Sequence, residues 1–143
     1  MVETKRIMNG TFGECWLDGD YVGEVKKAQA KVEFNKESVK QCGTWAEDNK
    51  ITGYKGTGSL TLLKVNSRMA LKIADMVKNK KDVRFTVISK LADPDAFGAE
   101  RCAVYGVSFD DLTLFDWEAG TVGESEHPFT FTTYQYLDTV KPQ

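Results

Sequence analysis

The sequence predicts a mainly β fold, two antiparallel sheets packed as a sandwich or barrel, with one α-helix flanking them near residues 67–79. Three observations carry that prediction. Apolar and polar residues alternate with period two through most of the 143 residues, one stretch alone switches to helical spacing, and clusters of Gly, Asp, Asn and Pro punctuate the runs.

In chain order, Thr11 to Leu17 is a strand, Asp18-Gly19-Asp20 a turn, and Tyr21 to Val25 the returning strand of a hairpin. Ala28 to Phe34 is a half-buried strand, with Ala28, Ala30, Val32 and Phe34 on one face and Gln29, Lys31 and Glu33 on the other. The alternation then lapses into Gly43, Asp48-Asn49, Gly53, Gly56 and Gly58. The stretch of about residues 41–58 is expected to be an extended loop or hairpin arm, with Trp45, Ile51 and Tyr54 as subunit-interface anchors, since large aromatics on a loop are used only when something buries them.

Ser59 to Val65 is a strand, and Asn66-Ser67 offers an N-cap for the helix. Met69, Ile73, Met76 and Val77 share its apolar face, Arg68, Lys72, Asp75 and Lys78 point away, and Asn79 is the stop signal. Three more strands follow, Asp82 to Leu91, Arg101 to Leu114 and Phe129 to Leu137, separated by turn-rich loops at 93–100 and 116–127. In the second of these, Ala103, Tyr105, Val107 and Phe109 fall on one face. No repeat or composition shift divides the chain, so residues 1–143 form a single domain.

Three scattered cysteines, Cys15, Cys42 and Cys102, provide neither a disulfide framework nor a zinc pattern. The lone histidine, His127, precedes Pro128 in a polar turn and has no second ligand or catalytic partner nearby. No apolar stretch of about 18 residues exists and Met1 to Arg6 lacks a signal-peptide core, so the expectation is a cytoplasmic protein not integral to a membrane. Net charge is −2, yet 64–90 carries eight basic and two acidic residues, and 91–143 two basic and ten acidic. Such blocks are solvated faces or, in the sharper reading, opposite poles for head-to-tail stacking of identical subunits.

Motifs for chemistry fail one by one. Asp93-Pro94-Asp95-Ala96-Phe97-Gly98 begins like a calcium loop, but Phe97 stands where an oxygen ligand is needed and Val104 where the bidentate glutamate belongs; a capped turn explains it. Gly53 to Ser59 lacks the lysine of a phosphate loop, Gly56-Thr57-Gly58 lacks the third glycine of a dinucleotide fingerprint, and Gly106 to Asp110 is no nucleophile elbow. The carboxylate pairs Asp110-Asp111 and Glu124/Glu126 have no second residue type beside them. Neither catalytic residues, nor a cofactor site, nor a metal site is expected.

Several phrases together resemble the tail tube proteins of contractile phages, defective prophages and R-type, phage-tail-like bacteriocins of Gram-positive bacteria. They are Asn9-Gly10-Thr11-Phe12-Gly13-Glu14-Cys15-Trp16-Leu17-Asp18-Gly19, Gly56 to Leu62 leading to Lys64-Val65-Asn66-Ser67, Asp93 to Arg101, Gly106-Val107-Ser108-Phe109, and Glu126-His127-Pro128-Phe129-Thr130-Phe131. They span nearly the whole chain in the family's order. The resemblance implies a non-enzymatic subunit that assembles with itself into hexameric rings, whose inner strands join into a continuous barrel. Rings stack into a hollow tube inside a contractile sheath, with sheath, tape-measure and baseplate proteins as partners and no integral membrane association. Assembly in the bacterial cytoplasm would be followed by residence in a virion tail or an extracellular particle.

If DNA passes through the lumen, an acidic or neutral wall avoids holding its phosphates, which makes Asp110, Asp111, Glu124 and Glu126 candidate lumen or ring-stacking residues. The competing reading is a small ligand- or carbohydrate-binding β-sandwich with Trp16, Trp45 and Tyr54 as its stacking platform.

Overall fold

A computed structural model describes residues 1–142. Among them lie eight strands and one α-helix: β1 (Gly13–Leu17), β2 (Asp20–Tyr21), β3 (Val25–Val39), β4 (Asp48–Leu63), α1 (Arg68–Asn79), β5 (Phe85–Leu91), β6 (Glu100–Phe109), β7 (Glu124–Phe131) and β8 (Thr133–Asp138). All pairings are antiparallel, in the order β2-β1-β5-β6-β7-β4-β3, with β8 on the remaining side of β6. The sheet folds over itself into two layers. One holds β2, β1, β5, β8 and the start of β6; the other holds β7, β4, β3 and the end of β6.

The strand that joins the layers explains one departure from simple alternation. Along β6 the register against β5 slips, so that Val87 faces Val104 while Phe85 faces Val107. Gly106 sits in the slip at φ +67°, a conformation that glycine adopts without steric cost. Past this bulge the inward face changes parity: Val104, Val107 and Phe109 enter the core, and Tyr105 does not. The expected face Ala103/Tyr105/Val107/Phe109 is thereby corrected.

The core lies between the layers, with Cys15, Leu17, Val87 and Val104 meeting Leu60, Leu62, Phe129 and Phe131. A run of rings threads it, with centroids 5.5 Å apart for Phe85–Phe109, 6.0 Å for Phe109–Phe129 and 6.4 Å for Phe129–Phe131. Complete burial of a ring such as Phe129 contributes about 1.5–3 kcal/mol. Burial also pushes the Cys15 thiol up to about 11, so it packs as a small apolar group.

Helix α1 closes one end through Met69 and Ile73, with Met76 partly buried. Asn66 Oδ1 accepts from the Arg68 amide at 3.1 Å, so the cap comes from Asn66 and not Ser67. Lys80 ends the helix in the left-handed region at φ 53°. Two expectations for its faces fail. Val77 is exposed, at the edge of the stripe that Met69, Ile73 and Met76 bury. Arg68 and Lys72 turn toward the protein, Arg68 donating to the Tyr21 carbonyl at 2.9 Å and Lys72 lying 3.7 Å from Asp20. These contacts tie α1 to the β1–β2 hairpin, whose turn has Asp18 at φ 50° and Gly19 at φ 87°, the two-residue geometry matched to strand twist.

Other boundaries moved for local reasons. Thr11 and Phe12 belong to a short 3-10 turn, and β2 ends at Tyr21 because Val22 drops into the core. β6 stops at Phe109, and Asp110 N then donates to the Pro128 carbonyl at 3.0 Å. The run expected as one strand from Phe129 to Leu137 is two strands in different layers. They break at Thr132, whose amide donates to the Tyr105 carbonyl at 3.0 Å. His127 is not in a polar turn but in β7, opposite Leu60 and 4% exposed.

Candidate assembly surfaces

β3 and β4 form a hairpin longer than the sandwich that carries it. At 16 residues, β4 extends about 50 Å at the usual strand rise. It pairs with β7 only from Gly56 to Leu63, whereas Asp48 to Lys55 pairs with β3 alone. The expected arm at 41–58 is therefore a regular hairpin, and only residues 40–47 at its tip are irregular. Gly56 and Gly58 belong to the packed part. A Cβ at Gly56 would stand 2.5 Å from the Phe131 ring, so these glycines are seats for aromatic rings and not signs of a floppy loop.

Beyond Gly56 the arm carries apolar side chains with little to cover them. Trp45 at the tip is fully exposed, and Phe34 and Ile51 are more than half exposed. Tyr54, opposite Phe34, is held by its own subunit through a 2.8 Å hydrogen bond from its hydroxyl to the Thr132 carbonyl. A register shift at Asn35/Lys36, against Gly53 and Ile51, follows directly. The strand face expected to be half-buried, Ala28/Ala30/Val32/Phe34, is mostly exposed and opens on a gap whose other wall includes Cys102, Val104, Tyr134 and Tyr136.

The opposite face of the hairpin layer has a different character. Cross-strand partners there are Gln29, Ser59 and Pro128, then Lys31, Thr57 and Thr130, then Lys27, Thr61 and Glu126, with Ser108 beside Thr130. It is a sheet face of short hydroxyls and balanced charges, with Lys31 3.1 Å from Glu33 and Lys26 paired with Glu124. Two of the expected acidic residues, Glu124 and Glu126, stand on this face. Asp110 and Asp111 lie past its margin, exposed, in the loop after β6.

That loop, residues 110–123, is a surface that sequence periodicity missed. Leu114, Phe115, Trp117 and Val122 are each at least three-quarters exposed, although Arg101 to Leu114 reads in sequence as one strand. The signal was present in the chain: four carboxylates and no cation accompany these apolar residues. Thr113 to Asp116 border Met69 and Ala70 across a cleft, and the Lys64 amide donates to the Gly123 carbonyl at 2.8 Å. The basic helix segment and the acidic loop thus share one end of the subunit. At this end the two charge blocks therefore adjoin, the start of α1 lying beside Thr113–Asp116, where opposite poles would hold them apart.

One arrangement at this end invites a test for chemistry. Ser125 Oγ lies 3.0 Å from His127 Nε2, like a nucleophile beside a base. However, His127 Nδ1, where an orienting acid belongs in a triad, is buried without a partner among the described residues. Burial holds the imidazole below its ordinary value, opposed by Asp111 and reinforced by Lys64. Ser125 Oγ and His127 Nε2 share one hydrogen bond, and the ring packs edge-on against Phe109 with centroids 6.3 Å apart. Among the described residues no group of three or more His, Cys, Asp or Glu side chains is placed to hold a metal ion, and no helix is long and apolar enough to cross a membrane. Nor do Trp16, Trp45 and Tyr54 meet: Trp16 stacks on Tyr21 at 5.6 Å, Tyr54 is on β4, and Trp45 stands alone at the arm tip.

The family model described as phage tail tube protein matches residues 1–138. The chain is 33% identical over 135 residues to the phage-like element PBSX protein XkdM of Bacillus subtilis strain 168, covering 93% of this chain and 92% of that one. In fold it resembles the tube-terminating cap of the anti-feeding prophage, with a TM-score of 0.74 at 9% identity over 97% of this chain and 96% of that one. It also resembles a chain of the sheath–tube complex of an extracellular contractile injection system, PVC, with a TM-score of 0.66 at 9% identity over 96% and 100%.

Proposed function

Because the chain belongs to the phage tail tube protein family, we propose that it is the repeating subunit of the rigid inner tube of a contractile phage tail or phage-tail-like bacteriocin, assembling as stacked, hexameric rings. The observation that carries this reading is the hairpin that outgrows its own domain. Trp45 has no cover among the described residues and Ile51 and Phe34 are more than half exposed, and an apolar arm of this kind gains its remaining burial only against another molecule. A neighbouring copy supplies it.

The polar face of the hairpin layer lines the lumen in this proposal. Its hydroxyls and paired charges present no surplus of cations, so a polyanion such as DNA would slide without being held. Glu124 and Glu126 are lumen residues in this arrangement, while Asp110 and Asp111 lie at the rim between rings. The outer layer faces a sheath protein, and the two tube ends meet baseplate, tape-measure and terminator partners. Subunits are made in the cytoplasm of the producing bacterium and end in the tail or extracellular particle. The role is structural and uses neither a catalytic residue nor a cofactor.

Negative-stain electron microscopy of concentrated, purified protein tests the proposal. Rings or hollow tubes are expected, with or without a baseplate to start them. A chain that stays monomeric under both conditions would overturn it.

A further inference from the structure

Most charged groups at the helix-capped end are already paired within the subunit. Arg68 meets Glu24, Lys72 meets Asp20, Arg84 meets Asp82 and Lys26 meets Glu124. Besides the single residues Lys64 and Asp75, two sets are left over among the described residues: Asp110, Asp111, Asp116 and Glu118 on the 110–123 loop, and Lys78, Lys80 and Lys81 at the C-terminal end of α1. Each set is accompanied by exposed apolar groups, Leu114, Phe115 and Trp117 on the loop and Leu71 and Val77 on the helix.

The two sets cannot satisfy each other within one subunit. The loop borders Met69 and Ala70 at the start of α1, where carboxylates suit the positive end of the helix dipole. The lysines follow at the far end of the helix, Lys78 being roughly 12–14 Å from Met69 and Ala70 at the usual rise. Each subunit therefore presents an acidic, aromatic loop beside the start of α1 and a basic, apolar end of the same helix, two separate patches of opposite charge. Two unlike, complementary patches describe a heterologous contact, the kind that closes a ring when rotation brings the last copy back to the first.

We propose that the 110–123 loop of one subunit packs on the C-terminal half of α1 of the next subunit in the same ring, with Trp117 and Phe115 covering Val77 and the loop carboxylates facing Lys78, Lys80 and Lys81. This rests on the ring assembly proposed above and adds which surfaces meet. The occupant of the loop is a second copy of this chain because its own sequence supplies the matching charge and, in Val77, an exposed apolar side chain next to it.

Charge reversal tests the pairing. One variant carries Asp111→Lys, Asp116→Lys and Glu118→Lys; another carries Lys78→Glu, Lys80→Glu and Lys81→Glu. All six positions are exposed, and circular dichroism with thermal melting checks that each variant folds. Either variant alone is expected to raise the concentration needed for assembly by at least about tenfold at low salt, because like charges then face each other. A chain carrying all six changes, or an equal mixture of the two variants, is expected to return within about threefold of the unmodified protein. If the unmodified protein assembles and both variants do so equally well, or if the sixfold variant does not recover, the pairing is wrong while the tube reading stands. A photo-crosslinker at Phe115, used in mixed heavy- and light-isotope subunits, gives an independent readout. Crosslinks to residues 65–81 of another subunit are expected, and crosslinks confined to the same chain overturn the pairing. An unmodified protein that never assembles overturns the tube reading itself and the pairing with it.

Discussion

Gly58 lies directly beneath the ring of Phe129: a Cβ added there would stand 2.6 Å from Phe129 Cζ and would also run into the Gln29 carbonyl oxygen. Neither obstacle can retreat, one being a fully buried ring and the other the backbone of a paired strand. Gly58→Ala is expected to cost about 1–3 kcal/mol, the usual range for overfilling a packed core. Gly53, five residues earlier in the same strand, has only Asn35 Nδ2 at 3.6 Å, so Gly53→Ala should change stability by less than about 0.5 kcal/mol. Urea denaturation midpoints of the two variants decide the matter.

Gly106 is a different kind of glycine. Its φ of +67° strains any other residue, and the Thr132 hydroxyl occupies the space a Cβ would need. Gly106→Ala is expected to lose about 2 kcal/mol or more, from backbone strain and overlap together. Adding Thr132→Ala should recover the overlap part and leave about 1–2 kcal/mol of backbone strain. A double-mutant cycle with a coupling energy near zero would falsify this division.

His127 makes stability depend on pH. Burial holds its folded value below the 6.5 of a free imidazole, with Asp111 raising and Lys64 lowering it in smaller measure. The unfolded chain therefore takes up the proton first. This contribution is fully present above about pH 6.5 and is lost as pH falls through that value toward the folded ring's own. Between about pH 7 and pH 5 the melting temperature should fall more steeply for the native chain than for His127→Gln. Parallel slopes would show that other groups carry the acid sensitivity.

The arm should be separable from the fold. Trp45→Ser with Ile51→Ser removes apolar groups that touch little in the subunit, so the monomer's stability is expected to stay within about 0.5 kcal/mol. Self-assembly, followed by sedimentation, should be lost. Tubes that form unchanged from this double variant would remove the arm from the assembly interface.

Much of the fold was legible because period-two alternation survives wherever one face of a strand is buried. The Asp18-Gly19 turn, the capped turn that starts at Asp93 and the helix from Arg68 follow from local chemistry and stand where expected. What the sequence hid is non-local. Gly56 and Gly58 look like loop residues until Phe129 and Phe131, seventy residues later, are laid over them. The change of parity at Gly106 and the step between layers at Thr132 each depend on a partner strand, and neither leaves a mark in hydropathy. The same limit applies to the surfaces. Trp45 and Ile51 are exposed on the arm, and the apolar loop at 114–117 alternates well enough to pass for a strand.

The register shift between Asn35 and Lys36 lies just past the point where Tyr54 bonds to Thr132, so the fixed part of the hairpin ends where its irregularity begins. An extra residue there loosens the ladder and adds twist, which makes it a joint between a stiff wall and a movable finger. In a column of subunits linked through such fingers, bending and torsion would concentrate at these joints and spare the layered body. The stiffness of such a column would then be set by how tightly each finger is gripped by its neighbour, and not by the layered bodies themselves.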